Sequence, residues 1–348
     1  MKLSRTFAAL AVSSAMLAAA PAWSQSKTLY IGMNGGTMEK AYTSQVLPAF
    51  EKENKVKVVI VPGTSSDVLA KLLANRSRPP VHVAFLDDGV MARAISMGVC
   101  QKLDDSPALK ALYPFARVKD DMGAGVQLGM TGIGYNTKIF TANGWAAPTS
   151  WMDFADPKYK GKVVFQSASS STFGLHGFLA INRILGGSEQ NVEPAFSKWA
   201  GTVGANVLEY IPNSAKLSEM IQTGEAAIFP LTPSAVADLR DKGIPVAYAA
   251  PKEGAVQLLV DLCVVKNNAD PQLAQRLAQY LLSAAGQTRA AAAGNYIPVN
   301  REAHMTPELE KKLGKPEALV RNLTVLDWDA INARRPQWDQ RWNRQIER

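Results

Sequence analysis

Five hydroxyls fall within six residues at Ser167-Ala-Ser-Ser-Ser-Thr172. Hydroxyl oxygens donate and accept hydrogen bonds at little desolvation cost. Backbone N–H groups at a helix start lack partners and favour an anion. A run of this kind between a strand and a helix suits a small acidic ligand, with Ser169, Ser170, Ser171 and Thr172 as contacts. The plainer reading is one capping hydroxyl, Ser170 or Ser171, but a cap needs no such company. Asp87-Asp88-Gly89 offers carboxylates to an ammonium group, or else an N-cap followed by an acid that suits the helix dipole. Thr37, in Asn34-Gly-Gly-Thr37, and Thr64 and Ser65, in Thr64-Ser-Ser66, add neutral polar groups. Catalysis finds less support. His82, His176 and His304 fall in separate segments, and no Gly-x-Ser-x-Gly elbow is present. The glycines at 35 and 36 lack dinucleotide-binding spacing. Three histidines and two cysteines show no metal-ligand spacing, so neither cofactor nor metal is expected.

The elements around these groups repeat. Strand-like Thr28–Met33, Val56–Val61 and Val81–Leu86 are each followed by a polar loop and a helix, near 38–54, 68–75 and 90–97. Apolar strands alternating with amphipathic helices predict a parallel sheet covered on both faces. In such sheets, loops leaving the carboxyl ends of strands line the ligand crevice. A second α/β unit starts near Val126. It includes strand-like 162–165, 206–211 and 226–229 and a helix over 173–185, and it closes with Leu258–Val265.

At the N-terminus, Lys2 and Arg5 precede an uncharged apolar run from Phe7 to Ala20, with small Ala22 and Ser24 after it. This pattern predicts a signal peptide over 1–24. The run is too short to span a bilayer, and no cysteine near the cleavage point suggests a lipid anchor. An exported periplasmic protein is expected. The chain of 348 residues, 47% hydrophobic, is long enough for two domains. Its formal charge of +8 comes from scattered basic residues. The denser tail, Arg334 to Arg348, is interleaved with acids and reads as a solvated face rather than a nucleic-acid stripe. Cys100 and Cys263 either pair, as an oxidising compartment allows, or stay as two buried thiols.

Several motifs resemble one family. Thr131-Gly-Ile-Gly-Tyr-Asn136, Ser150-Trp-Met-Asp-Phe154, Tyr159-Lys-Gly-Lys-Val163, Ala250-Pro-Lys-Glu-Gly254 and Gly294-Asn-Tyr-Ile-Pro-Val-Asn300 resemble segments of solute-binding receptors of ABC importers. The spermidine/putrescine, ferric-iron and phosphonate types are the nearest. The resemblance implies a type II α/β fold with two lobes, each a mostly parallel sheet flanked by helices, joined by two crossing hinge strands. Lobe one would take 27–131 and 260–348, the latter with the C-terminal helices, and lobe two 132–259. The hinge strands would be near 132–136 and 256–265. It also implies a monomeric receptor that closes on a small solute and delivers it to a membrane permease. The ligand set implied adds Tyr135, Thr232, Asp261 and Tyr296 to the loop residues above. Where polyamine receptors resemble an acid-lined aromatic box, this chain has Ala168, Ser171, Leu231 and Leu258. Iron receptors share paired tyrosines, and no Tyr-Tyr dipeptide occurs here. A carboxylate or phosphonate, with any amine meeting Asp87 or Asp88, is the expected ligand. A polyamine is the alternative.

Overall fold

The computed structural model describes residues 27–320 and 322–347. The signal peptide expected over 1–24 lies outside the described residues. The first three strands, β1 (Thr28–Met33), β2 (Lys57–Pro62) and β3 (Val83–Asp87), run parallel, with β1 between the other two. Each hands over within a few residues to a helix, beginning at Thr37, Ser65 and Asp88. The helix expected over 38–54 is interrupted by a π-helical turn at Tyr42–Val46.

The remaining strands are β4 (Cys100–Gln101), β5 (Ala124–Asn136), β6 (Val163–Gln166), β7 (Val207–Ile211), β8 (Ile228–Leu231), β9 (Val246–Ala249), β10 (Ala255–Val265) and β11 (Leu323–Thr324). The sheet runs β2-β1-β3-β10-β5-β8-β6-β7. Its ends are parallel, but the middle is not. β10 lies antiparallel to both β3 and β5, and β5 lies antiparallel to β8 and β9.

β5 explains this arrangement. Its 13 residues extend roughly 40 Å at ~3.3 Å each, longer than one small sheet needs. Residues 124–131 pair with β10, from Val256↔Thr131 to Leu262↔Ala124. Residues 132–136 pair instead with β8 and β9. The expected hinge pairing is therefore displaced. Gly132–Asn136 does not lie beside Val256–Val265, because β5 has already passed into the second half of the sheet. The chain returns through 250–254, between β9 and β10.

Two main cores follow. Leu29, Ile31, Phe50, Leu262 and Leu277 belong to the first. Phe165, Phe178 and Trp199 anchor the second. The tail departs from the grouping expected for 260–348. The helix Trp328–Gln345 places Trp342 against Phe178 and Trp199, at ring-centroid distances of 5.4 Å each. It thus packs on the second core, because its apolar stripe of Ile331, Trp338 and Trp342 needs an aromatic partner surface.

Cys100 and Cys263 form a disulfide, with Cα atoms 5.7 Å apart. It ties the short edge strand β4 to β10 across 163 residues of chain. Closing so long a loop constrains the unfolded chain strongly. Replacing both cysteines with serine should lower unfolding stability by about 2–5 kcal/mol, measured by urea denaturation. An unchanged midpoint would show that the bond contributes nothing to stability.

Candidate functional site

The carboxyl ends of β1, β2 and β3 face those of β6 and β7. Between them lies a cavity of about 610 Å³. The first half contributes Asn34, Gly35 and Pro62 to Asp67, with Asp87. The second half contributes Gln166, Ser170 to Phe173 and Pro212 to Ala215. All four loops singled out in the sequence thus contribute residues to one cleft. Its lining carries two carboxylates, Asp67 and Asp87, and no lysine or arginine.

Each hydroxyl of the serine run has a partner within the protein. Ser167 and Ser169 bond one another at 2.9 Å. Ser170 Oγ donates to the Pro212 carbonyl at 3.3 Å. Ser171 Oγ donates to Gln166 Oε1 at 2.8 Å. Thr172 Oγ1 donates to Asp87 Oδ2 at 2.6 Å, and this bond crosses from one half of the molecule to the other. Ser171 stands at the N-cap position of the helix Thr172–Ile184, yet its side chain makes no capping bond. Gly174 keeps that helix against the strand end, since a Cβ there would sit 2.0 Å from the Gln166 carbonyl oxygen.

Opposite, Thr64 and Asp67 form a capping box on the helix Ser65–Ala74. Ser65 Oγ accepts the Asp87 N–H at 3.1 Å. Burial raises the Asp87 carboxyl above its ordinary range, while bonds from Thr172 and Ser65 work against that rise.

Other expected site residues sit apart from the cleft lining. Thr37 is exposed and borders a separate cavity of about 760 Å³, formed with Lys40 and Arg289 on the first half alone. Ser169 faces a narrow pocket of about 50 Å³ beside Trp328 and Arg335. Tyr135 packs on Phe140 in the second core, with ring centroids 4.7 Å apart. Tyr296 is buried beside Tyr42. Thr232 caps the helix Pro233–Asp241 by accepting the Ala235 N–H at 3.2 Å. The last three are absorbed by packing and capping, roles that residue type does not distinguish from ligand contact.

Asp88 and Asp261 turn into the protein. Asp88 accepts the N–H groups of Gly89 at 3.0 Å and Leu259 at 3.3 Å, and the Trp328 side chain bonds it as well. Gly89 lets that indole lie over the backbone, for a Cβ would meet its ring at 2.4 Å. Burial, reinforced by Asp87, pushes the Asp88 carboxyl up to about 7. Asp261 is 1% exposed, and its Oδ1 has no partner. Burial first, then Asp88 and Asp87, raise it well above the carboxylate range.

Two of the histidines are engaged through Nδ1 away from the cleft. His82 Nδ1 accepts the Tyr30 N–H at 3.1 Å. His176 Nδ1 meets Thr131 Oγ1 at 2.9 Å, and burial pushes this ring down to about 3. Among the described residues, no group of three His, Cys, Asp or Glu side chains is placed to hold a metal ion.

Two lobes joined by a shared strand, with a polar cleft at facing strand ends, make this a type II periplasmic-binding-protein fold. Residues 45–316 match the family described as bacterial extracellular solute-binding protein, and the chain belongs to it. It is 23% identical over 347 residues, covering 97% of this chain and 94% of the relative, to the "Putative 2-aminoethylphosphonate-binding periplasmic protein" of Salmonella typhimurium. The periplasmic binding protein AfuA from Actinobacillus pleuropneumoniae, with exogenous fructose-6-phosphate bound, superposes with a TM-score of 0.79 at 20% identity. That match covers 93% of this chain and 99% of AfuA. Iron-bound HitA from Pseudomonas aeruginosa gives 0.74 at 19% identity, covering 91% and 99%.

Asp88 binds its proton more tightly folded than unfolded, where a carboxyl titrates near ~4. Its contribution to stability is therefore present at low pH and falls as pH rises toward 7. Asp88→Asn should remove that part of the slope, so wild type loses stability relative to the variant between about pH 4 and 7. Parallel urea titrations at several pH values measure this, and His176 cancels in the difference. Parallel curves for the two proteins would show that Asp88 does not titrate in this window.

Proposed function

We propose that the protein is a periplasmic receptor that holds a small organic acid bearing an amine in its interlobe cleft and presents it to an ABC importer permease. It acts as an exported monomer and catalyses no reaction. The lining carries this reading. Without lysine or arginine, the acid end of a ligand has only neutral donors to meet, and these cluster on the second lobe around Gln166 and the helix start at Thr172. The ammonium end has Asp87 on the first lobe, whose neighbours Ser65 and Thr172 already orient it. A carboxylate or phosphonate with an amine suits both ends. The cavity, about 610 Å³, accommodates a compound of this size. The 2-aminoethylphosphonate named for the Salmonella relative is the first compound to try.

The non-catalytic reading draws on the histidines: His82 and His176 pair with the Tyr30 N–H and the Thr131 hydroxyl, and His304 borders a separate cavity. Among the described residues no helix is long and apolar enough to cross a membrane. Asp67 and Asp87 together favour a second reading, a polyamine held by carboxylates alone.

Native mass spectrometry of the purified protein, followed by calorimetric titration, tests the ligand class. 2-Aminoethylphosphonate should bind and raise the melting temperature, by ~2.7 kcal/mol of stabilisation at a hundredfold excess over Kd. Spermidine should do neither. Tight spermidine binding with no response to the aminophosphonate would replace this reading with the polyamine one. Conversion of the bound solute over hours would end the receptor reading altogether.

A further inference from the structure

We propose that Gln166 is the specificity-determining contact of the cleft, donating through Nε2 to the acidic group of the solute, and that Ser171 is its positioning residue. This rests on the reading of the cleft as an organic-acid site. Gln166 ends β6, is 1% exposed and lines the cavity. Its Oε1 accepts from Ser171 Oγ at 2.8 Å, while its Nε2 has no partner. A buried amide NH₂ left unpaired is costly, and this one belongs to a residue of the cavity wall, where a bound solute would supply the partner. Three other polar side chains of this edge are engaged within the protein. Ser170 donates to Pro212, Thr172 to Asp87, and Asn213 caps the helix Ser214–Gln222 through Oδ1.

Ser171 supplies the second observation. At an N-cap, a serine oxygen ordinarily accepts from the first turn. Here the hydroxyl makes no such bond and orients the Gln166 amide instead. The 13-residue helix Thr172–Ile184 is thereby left without a side-chain cap at the end that borders the cleft. Its N–H groups and Gln166 Nε2 form a neutral donor set that takes an oxyanion and offers nothing to a cation. The carboxamide thus decides which charge the second lobe accepts.

The test titrates wild type, Gln166→Leu, Gln166→Glu, Ser171→Ala and Ser171→Thr with the aminophosphonate used above, inorganic phosphate and spermidine. Each unliganded melting temperature is measured alongside. Gln166→Leu should weaken binding of the aminophosphonate about ten- to a hundredfold; because it also removes the Oε1 that Ser171 meets, its unliganded melting temperature should fall no further than that of Ser171→Ala, which loses the same bond. Gln166→Glu keeps the oxygen that Ser171 meets but removes the donor. It should abolish anion binding and improve spermidine binding relative to wild type. Ser171→Ala should weaken the anion several-fold, and Ser171→Thr should restore it, a rescue that loss of packing would not show.

If wild type binds an anion and Gln166→Leu binds it equally well, the proposal falls and the organic-acid reading stands. If wild type takes spermidine and neither anion, both fall. Should no probe bind, the unliganded proteins decide. A drop in melting temperature for Gln166→Leu well beyond that of Ser171→Ala would make Gln166 a structural residue and overturn the proposal, and a drop no larger than that of Ser171→Ala would support an Nε2 held without a partner.

Discussion

The fold depends on one strand that belongs to both lobes. β5 is hydrogen-bonded to β10 over its first part and to β8 and β9 over its last. A paired strand neither stretches nor shears without breaking its ladder, so relative motion of the lobes reduces to bending about the point where β5 changes partners, between Thr131 and Gly132. That constraint keeps the strand ends of the two halves facing one another. It explains why a cleft forms there and why its lining is drawn from short loops instead of long lids.

The cleft is also braced on the far side of the serine run. The helix Trp328–Gln345 rides on the second core, yet Asn332 donates to the Gly89 carbonyl at 3.1 Å and Trp328 reaches Asp88, both in the first lobe. Arg335 donates to the Ala168 carbonyl at 2.5 Å, in the second. Asp88 in turn accepts from Leu259 on β10. Shared strand, first-lobe helix start and tail are thus linked through one buried carboxylate. Charging it is opposed by burial and by Asp87 close by. The acids that look like ligand groups in the sequence therefore divide by position. Asp87 opens on the cleft, while Asp88 and Asp261 belong to the joint behind it.

Much of this was legible beforehand. Apolar runs ending in Gly, Ser, Thr or Asp located β1, β2, β3 and β6 and the loops that meet in the cleft; β3 and β6 are buried along nearly their whole length, whereas β2, at the sheet edge, is only partly covered. The roles of individual polar residues were not legible. Thr64, Thr232 and Ser65 are spent on helix starts and on Asp87, and Tyr135 and Tyr296 on packing. Residue type does not reveal which way a side chain points. Gln166 immediately precedes the hydroxyl run, yet it is not among the contacts that residue types point to. A long amide at the last position of an otherwise apolar strand was the available signal, and it was masked by the more conspicuous serines. The tail's attachment to the second core, and the switch of β5 from one partner to another, depend on contacts between residues far apart in the chain, which local pattern does not encode.

The central claim, that two lobes pivot about β5 to enclose a solute between facing strand ends, is tested most directly by small-angle X-ray scattering of the ligand-free protein and of the same protein saturated with the solute it binds. The account predicts a smaller radius of gyration in the saturated sample and a distance distribution that loses its longest vectors. Identical curves at proven saturation would contradict it.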